Sequence, residues 1–295
     1  MKILLTGANG YFGTHLNKEL TNNTIKTLGR KNCHYVFDLR SNSPKFDEEF
    51  ETVIHAAGKA HLVPKHEKEA RDFFDVNVTG TINLLKGLEN ALLPRKFVFI
   101  SSVAVYGLES GLLIPESSDL KAKDPYGKSK VQAEEIINNW CSKNNIKCTI
   151  LRLPLIAGIN PPGNLRAMIK GIQKGYYFNI AGGTARKSMV MAEDVAKYIL
   201  PASEIGGIYN LTDGHHPSFY ELSAVIARKL NKPKPVNIPS VLAHGLAKIG
   251  DIVGRKSLIN SYKLNKILSD LTFDDTKARK EFGWSPRPVL EIIET

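Results

Sequence analysis

Tyr126 and Lys130 stand four positions apart on a segment that opens after Pro125 and reads as a helix, so the two share one face. A free phenol, with a pKa of about 10, is a poor base at neutral pH. An ammonium at roughly 4 Å in a shielded site favours the phenolate by a few kcal/mol, enough to bring it into working range. Lys130 can also hold a ribose. Upstream, Ser101-Ser102 closes the apolar run Phe97-Val98-Phe99-Ile100 and offers a hydroxyl to a reacting oxygen. A Y-x-x-x-K pair alone is a common surface pattern. Ser102, Tyr126 and Lys130 gain meaning as a catalytic set only from the elements that bring them together.

Those elements alternate. Short β-branched or aliphatic runs at Lys2–Thr6, Thr24–Leu28, Tyr35–Phe37, Thr52–His55, Lys96–Ser101 and Lys147–Arg152 predict strands. Helical periodicity predicts helices over Tyr11–Leu20, Phe73–Asn90 and Tyr126–Lys143. This is the pattern of an α/β fold, a Rossmann-type doubly wound parallel sheet. After Arg152 the regularity weakens at Pro161-Pro162-Gly163, Gly182-Gly183 and Pro233 to Pro239. We therefore expect a dinucleotide-binding domain over 1–153 and mainly a smaller substrate lobe over 154–295, with a stretch near 187–212 returning to the first domain. Within Ser240 to Gly254, Leu242, Leu246, Ile249 and Val253 recur on one helical face. An interfacial membrane helix is one reading. A core face is the expectation, because one Lys and one His make no strongly basic polar side.

The first strand runs into Thr6-Gly7-Ala8-Asn9-Gly10-Tyr11-Phe12-Gly13 and then a helix. Glycines there let the backbone approach a pyrophosphate, whose charge meets the free N–H groups and positive dipole end of the helix. Gly7, Asn9, Gly10, Tyr11, Phe12 and Gly13 are thus candidates for holding a dinucleotide. Where an acid commonly grips the adenosine ribose, this chain has Gly29-Arg30. Arginine pairs with a 2′-phosphate, which points to NADP(H), with NAD(H) as the alternative. Asp38 and Leu39 end the third strand, and Ala56, Ala57 and Gly58 follow the fourth, both at the edge where ligands bind. Asp38 suits the adenine amino group, and the small residues permit close approach. His55 is read as a satisfied structural histidine.

A chain of 295 residues with 42% hydrophobic content buries a sizeable core, which excludes disorder as the dominant state. The net charge of +11 is scattered over stretches that alternate with acids or prolines, without an aromatic ladder for bases, so nucleic acid is not an expected partner. No secretory leader or membrane-spanning run is read in the sequence. Three cysteines without a C-x-x-C pair suit a reduced compartment. The expectation is a cytoplasmic protein without metal or stable membrane insertion, with a homodimer as a possible assembly.

Taken in order, the pieces resemble the extended short-chain dehydrogenase/reductase family, specifically its nucleotide-sugar epimerases and related reductases. They are the glycine turn from Thr6 to Gly13, Asp38-Leu39, His55-Ala56-Ala57-Gly58, Asn77-Val78-Thr79-Gly80-Thr81, Ser101-Ser102-Val103-Ala104-Val105-Tyr106-Gly107, Pro125-Tyr126-Gly127-Lys128-Ser129-Lys130 and Leu151-Arg152. The resemblance implies that Ser102 is the active-site hydroxyl and that Asn77 lies near the cofactor. It implies further that Asn164, in Gly163-Asn164-Leu165, and Arg186-Lys187 meet a substrate diphosphate, and that Phe282-Gly283-Trp284-Ser285-Pro286 is a packing motif. Two departures matter. Val103-Ala104 replace the acidic pair of the 4,6-dehydratases, and Leu155 replaces an asparagine that several epimerases place near the phosphates.

The implied activity is NAD(P)-dependent epimerisation at C4 of a UDP-hexose or UDP-N-acetylhexosamine through a transient 4-keto sugar. An NADPH-dependent 4-ketoreductase of polysaccharide biosynthesis is the alternative. A dinucleotide-sensing regulator without activity is a third reading, disfavoured by the intact Ser102, Tyr126 and Lys130.

Overall fold

Alternating side chains along the first strand show how the sheet is built. Ile3 and Leu5 pack into one apolar layer and Leu4 into another, because successive residues of a strand point to opposite faces. The computed structural model describes residues 1–60, 64, 66–253 and 260–293. Seven strands form one parallel sheet: β1 Lys2–Thr6, β2 Thr24–Gly29, β3 Tyr35–Val36, β4 Thr52–His55, β5 Lys96–Ser102, β6 Lys147–Leu153 and β7 Gly207–Asn210. Their spatial order is β7-β6-β5-β4-β1-β2-β3. The order reverses between β1 and β4, and a ligand crevice opens at such a switch point.

Helices α1 Tyr11–Glu19, α2 Glu67–Phe74, α3 Gly80–Glu89, α4 Pro125–Lys143, α5 Gly163–Gln173 and α6 Ala192–Ile205 follow in chain order. The layer of Ile3 and Leu5 includes Phe12 and Leu16 of α1 with Val195 and Ile199 of α6. The layer of Leu4 includes Leu84 and Leu88 of α3 with Ala133 and Ile137 of α4. Phe73 to Asn90 is not the single helix its periodicity predicts. Five residues, Asp75–Thr79, form a π-helical turn between α2 and α3, and the extra residue turns Asn77 inward. Such a turn leaves no mark on hydrophobic spacing.

Outside this sheet the chain makes three short parallel pairs, Leu155–Ala157 with Met189–Met191, Asn179–Ile180 with Asn237–Ile238, and Gly111–Ile114 with Leu271–Phe273. Around them lie α7 Phe219–Lys229, α8 Ser240–Val253, α9 Ser261–Leu268 and α10 Thr276–Phe282. Trp284 is buried against Tyr198 and Phe282, in keeping with a packing role for its motif.

Helix α8 corrects the expectation of a core face. Leu242, Leu246 and Ile249 are exposed, and the small residues Ala243 and Ala247 are the buried ones, packed on Ile180, Ile238 and Leu264. Close approach of α8 to its neighbours selects the small side, and periodicity does not reveal which side of a helix faces in. Among the described residues no helix is long and apolar enough to cross a membrane.

Candidate active site

The turn after β1 explains its glycines by contact. Gly7 has φ +74°, and a Cβ there would lie 2.6 Å from the Ala57 nitrogen; at Gly13 it would lie 2.1 Å from the Gly7 carbonyl oxygen. The loop after β4 and helix α1 thus close on this turn as only glycine allows. Gly10 caps α1 without a side-chain hydrogen bond, so no cap side chain competes for the first N–H groups, those of Tyr11, Phe12 and Gly13. Asn9 ties the turn to the segment after β2, its Nδ2 donating to the Lys31 carbonyl at 2.7 Å. This arrangement fits the pyrophosphate of a dinucleotide.

Ser102 ends β5, where its Oγ accepts from the Ala104 N–H at 3.2 Å and caps the short turn Val103–Tyr106. Asp124 caps α4 by accepting from Gly127, and Pro125 at the first helical position fixes the start one residue before Tyr126. The partly buried phenol of Tyr126 lies beside the Ser102 hydroxyl, and its ring packs on the buried Phe73 with centroids 5.9 Å apart. Burial pushes the phenol above its ordinary value, and the neighbouring Ser102 hydroxyl acts in the opposite direction.

Lys130, also buried, donates from Nζ to the Ile100 carbonyl at 2.7 Å and sits 4.3 Å from the centre of the Phe99 ring. Burial pulls its pKa down to about 8. A Cβ on Gly58 would lie 3.5 Å from this Nζ, so the ammonium faces the edge beside the turn. The four-residue spacing brings Tyr126 and Lys130 to one face, but the ammonium is spent on a carbonyl and a ring rather than on the phenol.

Beneath this set lies a buried polar chain that sequence reasoning did not identify. The Ser101 hydroxyl donates to Glu134, whose carboxylate takes Arg152 at 2.7 Å from Nη2. Arg152 Nη1 donates to the Tyr106 hydroxyl at 3.0 Å, and that hydroxyl donates to Asn210 Oδ1 at 2.8 Å. Glu134 is one helical turn beyond Lys130, and that spacing was the available signal. His55 heads a second relay. Its Nδ1 faces Thr6 Oγ1 at 2.7 Å, which already accepts from the Ala57 N–H, and its Nε2 faces Thr81 Oγ1 at 3.0 Å, which donates to the Asn77 carbonyl. The proton therefore belongs on Nε2, and burial holds the neutral ring down to about 3.

The other candidates are differently placed. Asn77 spends its amide within the protein, accepting from the Lys59 N–H at 2.7 Å and donating to Ser129 at 2.9 Å, which braces the loop after Gly58 against α4. Asp38 is paired with Arg40 at 2.6 Å, and this holds its carboxyl below the usual range. Leu39 is buried, Arg30 is exposed at the end of β2, and small Ala56 and Ala57 border the turn. The Tyr11 hydroxyl and Glu193 Oε2 are buried without a hydrogen-bond partner among the described residues, against Gly158. Asn164 is exposed at the start of α5. Arg186 turns to the His216 carbonyl at 3.0 Å and Glu221 at 3.4 Å, and Lys187 donates to the carbonyls of Lys266 and Ser269. Both cations thus hold structure together rather than standing open.

Comparison with known proteins matches residues 3–211 to the NAD dependent epimerase/dehydratase family. One relative, the N-acetyl-alpha-D-glucosaminyl-diphospho-ditrans,octacis-undecaprenol 4-epimerase of Escherichia coli O157:H7, is 30% identical over 322 aligned positions, covering 99% of this chain and 93% of its own. Two solved structures share the fold. The UDP-glucose-4-epimerase from Stenotrophomonas maltophila, with bound NAD and formylated UDP-arabinopyranose, has a TM-score of 0.76 at 21% identity, covering 98% of this chain and 94% of that one. RMD from Pseudomonas aeruginosa, complexed with NADPH, has a TM-score of 0.73 at 21% identity, with 98% and 95% covered.

Proposed function

The chain belongs to the NAD dependent epimerase/dehydratase family, as an enzyme of the extended short-chain dehydrogenase/reductase type, and from that premise we propose that it inverts C4 of a sugar carried on a diphosphate. The observation that carries this reading is the Tyr126 phenol beside the Ser102 hydroxyl, on the same sheet edge as the glycine turn, with Lys130 beside Gly58. A nicotinamide dinucleotide bound along that turn supplies the acceptor and donor of hydride. The side chains move the proton. In its raised-pKa state Tyr126 keeps its proton and can give it to a keto oxygen; taking one from a sugar hydroxyl needs positive charge brought to the phenol, and Lys130, on the same helix face, is the cation that would have to leave the Ile100 carbonyl to bring it. Ser102 holds the oxygen. Val103 and Ala104, in the turn after Ser102, provide no acid for eliminating water.

The carrier we favour is uridine diphosphate, with Asn164 at the start of α5 on its phosphates and a cytoplasmic setting that supplies nucleotide sugars. The Escherichia coli relative acts, by its name, on a sugar carried by undecaprenyl diphosphate, and inversion at C4 is equally open to such a carrier. Gly29 and the exposed Arg30 favour NADP(H) over NAD(H) and so support a second reading, a 4-ketoreductase that exchanges its cofactor at every turnover. The test incubates the protein with UDP-N-acetylglucosamine and UDP-glucose without added cofactor, then with a UDP-4-keto sugar and NADPH. Product inverted at C4 with unchanged nicotinamide absorbance is the expected result. Stoichiometric loss of NADPH with the keto sugar alone would transfer the assignment to the reductase.

A further inference from the structure

Helix α8 has three faces. On the helical period Ala243, Ala247 and Gly250 share the buried side, and Ser240, His244, Lys248 and Asp251 share a polar one. Val241, Leu242, Leu246, Ile249 and Ile252 fill the third, an arc of about 140° on a period of 3.6 residues. All five are more than half exposed, up to 87% for Ile252. This inverts the usual surface helix, whose large aliphatic side faces the core. The patch has an apolar border: Phe178 and Val236 are exposed, and the Asn179 N–H donating to the Val236 carbonyl at 3.0 Å brings their two segments together beside Ile180 and Ile238, on which α8 rests.

Charge selects the partner. Between Asn231 and Asp270 the chain carries seven lysines and arginines against two aspartates. Lys248, at the border of the aliphatic arc, is exposed, as are Lys232 and Lys234 in the segment before Val236 and Lys266 on α9, whereas Asp251, the one acid on α8, is taken by the Ser261 N–H at 2.9 Å and the Ser261 hydroxyl. A second copy meeting this face across a twofold axis would set cations against cations. An anionic lipid surface meets both features at once: acyl chains accept the aliphatic arc, and headgroups accept the lysines.

We propose that α8 lies in the interface of an anionic phospholipid bilayer, holding the enzyme on the membrane surface without spanning it. The helix is joined to the catalytic edge through α9. Tyr262 bonds Glu109, shortly after the Ser102–Tyr106 turn, and Lys187 holds the carbonyls at the end of α9. A chain docked this way meets sugar diphosphates whose carrier is a membrane lipid. The inference goes beyond the proposed function and does not depend on it.

Vesicle flotation tests it, with vesicles of phosphatidylcholine alone and of equal parts phosphatidylcholine and phosphatidylglycerol. The full chain should float with the anionic vesicles far more than with the neutral ones, and high salt should weaken this. Leu242→Glu/Leu246→Glu/Ile249→Glu should lower the bound fraction about tenfold or more while leaving turnover of a soluble UDP-sugar unchanged. If that variant fails to fold, Ile252→Glu should show a smaller loss in the same direction. A wild type that stays off anionic vesicles, or variants that bind as well as it does, would overturn the proposal. So would a wild-type dimer, dissolved by the same substitutions, that ignores lipid. Vesicle binding without turnover of any sugar would support the docking and remove the epimerase reading instead.

Discussion

Under the catalytic set, Glu134, Arg152, Tyr106 and Asn210 spend their polar atoms on one another in a region closed to water. On α8 the position is reversed, because the groups that ordinarily go inside are outside and small residues do the packing. Both regions depart from the simple rule of apolar in and polar out. A buried charge persists only when paired and hydrogen-bonded, and an exposed aliphatic patch on a stable helix marks a surface with a partner. In the first region the chain completes itself. In the second it stops short.

The largest effect should follow from opening the closed region. Arg152→Met leaves the Glu134 carboxylate buried without its cation, and a loss of about 3–5 kcal/mol in unfolding free energy is expected by denaturant titration. A loss under about 1 kcal/mol would mean that water reaches the pair. The His55 relay gives a pH signature. Its folded pKa of about 3 lies below the ordinary 6.5, so the unfolded chain binds a proton there that the folded one refuses. Stability from this group is complete above pH 6.5 and drains away as pH falls toward 3. Wild type should therefore lose stability over that window more steeply than His55→Gln, and parallel curves would count against a buried neutral ring.

A smaller effect is expected at the exposed end of β2. Arg30→Ala should weaken NADP(H) binding by about 1–3 kcal/mol and NAD(H) much less, and equal losses would remove the 2′-phosphate role. The smallest belongs to α8. Leu242→Ser with Ile249→Ser should change folding stability by no more than about 0.5 kcal/mol each, since exposed side chains give up little packing. A loss of several kcal/mol would show that this face is buried in the folded protein, and the contrast between the two regions would fail.

Six of the seven sheet strands are legible in the sequence to within a residue or so at their ends, because buried parallel strands write apolar runs between turn residues. The seventh, Gly207–Asn210, is four residues long and carries no such run. The order of Ser102, Tyr126 and Lys130 along the chain suggested a shared edge; in the structure Ser102 ends β5, Tyr126 opens α4 beside it, and the Lys130 ammonium reaches the Ile100 carbonyl. What the Lys130 ammonium touches was not legible, since the Ile100 carbonyl that receives it is a main-chain atom common to every residue. The π-helical turn at Asp75–Thr79 and the outward face of α8 escaped for a related reason. Periodicity reports that a helix has an apolar side, and only the neighbours decide where that side points.

The proton-transfer role of Tyr126 is tested most directly by Tyr126→Phe, assayed for C4 inversion alongside titration of the nicotinamide cofactor. The substitution removes one hydroxyl and little area, so turnover should fall by about 10²–10⁴-fold while cofactor affinity stays within about threefold. A variant that keeps most of its turnover would contradict the account.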